Sequence, residues 1–177
     1  MSNSATRYGF WAITLHWLIA VLVIWVGILG LLHDTWPKHS QSYWINLHAL
    51  CGLALWSLLL WRAGVRLRHP APPWPADFSA STRRLAIIVH SLLYVLLFIT
   101  PIVGMITFVW HGRVLDLGFY QIHFGVKKDR SVFEPSEDIH GYLAYGLFAL
   151  IAFHTLAAVW HQFIKRDQVL ERMWWRR

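Results

Sequence analysis

The chain has 177 residues, is 56% apolar, and carries 16 Lys+Arg against 9 Asp+Glu, with twelve Trp. So few charges and so many Trp exclude an ordinary water-soluble domain and point to a membrane protein, because Trp sits well at the lipid–water boundary. The positive charges gather at the ends of apolar runs, so membrane topology rather than nucleic acid accounts for the basic balance.

Taken in chain order, four stretches contain no Asp, Glu, Lys or Arg: Tyr8–Leu32, Ser42–Trp61, Leu85–Trp110 and Ile139–Ile164. Each is long enough to cross a bilayer as a helix, and a chain in hydrocarbon must satisfy its own backbone hydrogen bonds, so helix is the expected state. The reading is an all-α integral membrane four-helix bundle, one membrane-embedded domain over residues 1–177. Its spans are expected at about 8–32, 42–62, 84–110 and 137–164. The first stretch is too long for the apolar part of a secretory signal, follows only Arg7, and shows no clear cleavage site; it is read as a retained span. Cys51 lies inside the second stretch and has no second cysteine to pair with. In the third, Pro101 should kink the helix, with Gly104 easing close packing one turn later.

The connections fit this pattern. Residues 33–41 are short, so the first two spans should be antiparallel neighbours. The middle connection contains HPAPPWP, which cannot stay helical. The longest runs from His111 to Glu137. At its end Ser136, followed by Glu137 and Asp138, reads as a helix N-cap with acids in the first turn, placing His140 about one turn inside the fourth span.

With four spans both termini share a side with the middle loop. That side carries Arg7, Arg62, Arg66, Arg68, Arg83, Arg84, Lys165, Arg166, Arg172, Arg176 and Arg177; the other carries Lys38, Arg113, Lys127, Lys128 and Arg130. Positive charge marks the cytoplasmic side, so both termini are expected in the cytoplasm.

Six of the eleven histidines, His16, His48, His90, His140, His154 and His161, fall in the apolar stretches. Ionisable groups there are costly and are functional candidates. The fourteen-residue step from His140 to His154 rises about 21 Å and ends about 40° short of four full turns, so both face one side at two depths. Depth pairs His48 with His140 on the outer side and His16 with His154 on the inner side. Two imidazoles from facing helices are what a haem iron takes. His90 lies at the inner depth too and competes for that pair, the other option being a hydrogen bond to backbone or to a haem propionate. His161 reads as interfacial, and His33, His39, His69, His111 and His123 as solvated loop residues. Zinc is disfavoured, since it prefers a compact cluster with Cys, Asp or Glu. A transporter with a histidine relay is disfavoured by the absence of acids in the spans. Of the nearby aromatics, Trp17, Tyr142, Tyr145, Phe148 and Phe153 could pack on a flat macrocycle, or simply on lipid.

Five segments, RYGFWAITLHWLIA, INLHALCG, RLRHPAPPWP, VHSLLYVLLFITPIVG and HGYLAYGLFALIAFHTLAAVWHQFIKRDQVLERM, cover nearly the whole chain. In these the sequence resembles the bacterial cytochrome b561 family of four-helix membrane cytochromes. The resemblance implies two haem b groups with axial ligands at the positions matching His16, His48, His140 and His154. It implies electron transfer across the inner membrane between a periplasmic-side donor and the ubiquinone pool. Members similar to this chain include superoxide oxidases, which pass the electron of superoxide to ubiquinone; others serve as membrane carriers or anchors for a separate redox partner. Partners so implied are lipid, quinone, and superoxide or a periplasmic redox protein, with no nucleic acid.

Overall fold

The computed structural model describes residues 7–75, 78–167 and 169–175. Arg176 and Arg177, counted above among the positive charges, lie outside the described residues.

Four helices dominate: α1 (Phe10–Leu31), α2 (Lys38–Arg68), α3 (Ala80–Trp110) and α4 (Arg130–Trp160). All four are long and apolar enough to cross a membrane. α1 packs closely on α2 and α3 packs most closely on α4, while α2 meets α3 less extensively. Burial explains why this bundle needs lipid. Large apolar side chains such as Val21 (69% exposed) and Leu156 (68%) point outward. In water that would be ruinous; in a bilayer the tails are as apolar as the side chains, and only the backbone has to be satisfied. The interior is correspondingly small. Its central layer is Ile19 and Val23 of α1, Leu55 of α2 and Leu147 of α4, with Leu93, Leu96 and Leu97 of α3 packed against it.

The far end of the bundle, opposite the termini, is closed by a two-stranded hairpin, β1 (Leu115–Asp116) and β2 (Gln121–Ile122), with Leu115 opposite Ile122. Leu115 is buried against Ala49 of α2 and Phe108 of α3. Asn46 of α2 clamps the strand on both backbone faces: its amide donates to the Asp116 carbonyl (2.8 Å) and its oxygen accepts from the Asp116 N–H (2.9 Å). At the near end the chain returns beneath the bundle. A π turn, His161–Lys165, breaks α4, Arg166 takes a left-handed conformation (φ 56°), and a 3₁₀ turn, Leu170–Met173, follows. Trp17 donates to the Met173 carbonyl (2.8 Å) and Arg172 to the Pro73 carbonyl (2.7 Å), tying α1, the middle loop and the C-terminal turn together.

One expected boundary is wrong. Ser136 does not cap α4; Asp129 does, its carboxylate accepting from the N–H of Ser131 (2.9 Å). Ser136 lies two turns inside, buried, donating to the Phe133 carbonyl and accepting from Thr107 of α3. His140 is therefore almost three turns into the helix. The extra turns survive Pro135 because a proline near a helix start removes only one intrahelical bond. The Arg130–Glu134 pair spans one turn and adds support (2.5 Å).

Candidate functional site

The bundle brings the four expected histidines together in two pairs. The rings of His48 and His140 lie 6.0 Å apart, centre to centre, at 87°. Those of His16 and His154 lie 6.4 Å apart at 85°. Metal–imidazole bonds run about 2.0 Å, and a ring centre lies about 1.2 Å behind its nitrogen, so rings on opposite faces of one iron would sit about 6.4 Å apart. Both pairs lie close to that separation. The apolar layer of Ile19, Val23, Leu55 and Leu147 lies between the two levels.

The outer pair is seated by a repeated device. His48 Nδ1 lies 3.0 Å from the Val26 carbonyl of α1, and a Cβ at Gly30, four residues on, would come within 3.1 Å of the His48 ring. His140 Nδ1 lies 3.0 Å from the Thr100 carbonyl of α3, and a Cβ at Gly104, again four residues on, would come within 2.7 Å of the His140 ring. A helical carbonyl points towards residue i+4, so a side chain there shields it and glycine uncovers it. A carbonyl only accepts, so each Nδ1 carries the hydrogen and each Nε2 is left free to bind metal.

Around this pair lies a cavity of about 370 Å³ that touches all four helices. Its walls include bare backbone at Gly52 and Gly141, together with Tyr145 and Phe148, whose ring covers Gly27. A flat, mostly apolar group with its metal between His48 and His140 fits this lining. Of the other aromatics singled out, Tyr142 is 75% exposed and faces outward. The mouth is polar: His33, Asp34, His111, Arg113 and Glu137 line it. His33 and His111 are thus not simply solvated, as expected from sequence. His111 packs on Phe133 with ring centres 4.6 Å apart, and burial, reinforced by Arg113 and Lys128, holds its imidazole below the usual range. Of the four basic residues of this loop, only Arg113 lines the cavity. Arg130 is engaged with Glu134, and Lys128 sits over the Phe133 ring. In the hairpin, the Gly118 N–H and the Gln121 side chain hold Asp116 below the usual carboxylate range.

The inner level is built differently. His90 of α3 stands beside His154, ring centres 5.1 Å apart at 77°, so three histidines gather there. Arg62 of α2 donates to the Ala12 carbonyl of α1 (2.5 Å), one turn from His16. His161 is not part of this group: it pairs with Asp167 and stacks on Phe78 (5.3 Å). Among the described residues no group of three or more His, Cys, Asp or Glu is arranged to hold a bare metal ion. The outer level holds two facing imidazoles and the inner level three.

The family model for prokaryotic cytochrome b561 matches residues 7–176. The chain belongs to that family. Among its relatives, a protein described as the probable superoxide oxidase CybB of Yersinia pestis is 29% identical over 94% of this chain and 95% of its own length. Cytochrome b561 homolog 2 of Escherichia coli K12 is 27% identical over 97% of this chain and 93% of its own. Cytochrome b561 homolog 1 of the same organism is 25% identical over 97% and 98%. The chain is therefore a multi-pass protein of the bacterial inner membrane and a membrane electron-transfer protein, and the family implies haem b.

Proposed function

We propose that the protein carries two haem b groups, one between His48 and His140 and one between His16 and His154, and moves electrons across the inner membrane between an outer donor and the ubiquinone pool. The observation that carries this reading is the spacing of the two ring pairs, 6.0 and 6.4 Å, on a shared helix. Haem supplies reversible one-electron iron chemistry. The chain supplies everything that directs it. α4 holds His140 and His154 on one face, so the two levels are stacked rather than scattered. The Val26 and Thr100 carbonyls fix which nitrogen the outer imidazoles present. The leucine-rich layer between the levels excludes water.

The donor we favour is superoxide. Two superoxide anions each lose one electron and leave as dioxygen, and one ubiquinone takes both electrons with two protons. Arg113 at the cavity mouth, set among Asp34 and Glu137, is the fixed positive charge there that a small anion could meet. The name of the Yersinia relative supports the same donor. A second reading, a carrier serving a separate redox protein, draws on the hairpin tip, where Phe119 is 90% exposed and Tyr120 64%. Purified protein mixed with superoxide and a soluble quinone separates the two: an oxidase turns over alone, whereas a carrier needs its partner.

The purified protein should be red, with two haems per chain. His140→Ala and His16→Ala should each leave one. Full haem in both variants, counted by reduced-minus-oxidised spectra, would refute the pairing.

A further inference from the structure

Ligating histidines as a rule donate their second N–H to a fixed acceptor, which sets the ring's orientation and strengthens it as a ligand. The outer pair obeys this rule through backbone carbonyls. The inner pair does not: among the described residues neither His16 nor His154 makes such a bond, and the Ala12 carbonyl near His16 is taken by Arg62. What stands beside His154 is another imidazole, His90.

We propose that His90 is the positioning partner of His154, accepting at its Nε2 the N–H that His154 does not need for the metal. This rests on the dihaem reading above. His90 Nδ1 lies 2.6 Å from the Ala86 carbonyl. Since a carbonyl cannot donate, Nδ1 carries the hydrogen of the neutral ring and Nε2 is left with a lone pair. Two imidazoles joined by an N–H···N bond of about 2.9 Å have ring centres about 5.3 Å apart, against 5.1 Å here. The distance already suits the bond, and only the ring angles must adjust. The ring of His90 is exposed, so it can tip about its Nδ1 contact while keeping the bond to the Ala86 carbonyl. α3 thus serves both levels: the Thr100 carbonyl seats His140, and His90 seats His154.

The test uses the full-length holoprotein with His90→Phe, which fills the space but cannot accept, and His90→Gln, whose amide oxygen can. Potentiometric titration followed in the visible, with low-temperature electron paramagnetic resonance of the ferric form, reads the two haems separately. In His90→Phe one haem should titrate at a higher potential, because its imidazole has lost an acceptor, and its affinity should fall about 10- to 100-fold. The second haem should be unchanged, and His90→Gln should recover most of the first haem's potential. Unaltered potentials and signals in His90→Phe overturn the proposal, as do equal shifts in both haems or a Gln variant indistinguishable from Phe. Loss of one haem in both His90 variants, with two haems retained in His154→Ala, makes His90 the ligand itself and overturns it too. A wild-type protein without haem overturns the dihaem reading and this proposal with it, whereas a dihaem protein indifferent to His90 overturns this proposal alone.

Discussion

Gly104 and Gly30 do more than let helices approach. Each strips the cover from a carbonyl one turn earlier and makes room for an imidazole. The two are not equally tight. A methyl at position 104 would lie 2.7 Å from the His140 ring, inside any real contact, whereas one at position 30 would lie 3.1 Å from His48. Gly104→Ala should therefore displace its histidine and lower affinity at the outer level about tenfold or more, and Gly30→Ala should do so less. Haem per chain after purification, compared for the two variants, tests the order; a Gly30 variant worse than the Gly104 variant would count against this account of the seats. From sequence, Gly104 was legible only as a place of close packing. Which ring would occupy the gap depended on α4, thirty-six residues further on.

The far-end hairpin is the element least anchored by the apolar pattern and most by a single side chain. Two ladder residues per strand cannot hold themselves together. Leu115 supplies an apolar foot and Asn46 two hydrogen bonds to one peptide. Asn46→Ala should cost the hairpin about 1–3 kcal/mol, on the scale of two lost hydrogen bonds. Hydrogen exchange should quicken across residues 115–122 while α2 and α3 keep their protection. If protection falls equally in the helices, the side chain holds the bundle rather than the hairpin. α4 shows a limit of reading elements from sequence. A Pro–Ser step followed by two acids has the chemistry of a helix start, but Asp129, seven residues before Ser136, has the better position to cap. Local signals alone could not rank the two, because the choice depended on Ser136 being buried against Thr107.

At the scale of the whole molecule, charge asymmetry makes the orientation testable. Among the described residues, the end bearing the middle loop has nine Lys and Arg, and the opposite end five. A reporter that works only in the cytoplasm, fused after the C-terminus, should be active, and one that needs export should be silent. The reverse pattern would turn the electron path around. The paired aromatic rings at the two ends, Trp36 on Trp44 and Trp17 on Trp174, suit the two lipid–water boundaries.

Sequence by itself determined the four apolar helices, their antiparallel order, and the depth at which each histidine lies. These depend on length, hydropathy and the 1.5 Å rise per residue, all of which are local. Depth alone brought His48 to the level of His140, and His16 to that of His154, but it brought His90 there as well. Only the tertiary structure decided how the three inner imidazoles are spaced, that His33 and His111 line a cavity mouth, and that carbonyls of α1 and α3 seat the outer pair. The physical reason is rotational. A residue's height on a helix follows from counting, but the neighbour its side chain meets depends on how each helix is turned about its own axis, and that is settled by the packing of all four together.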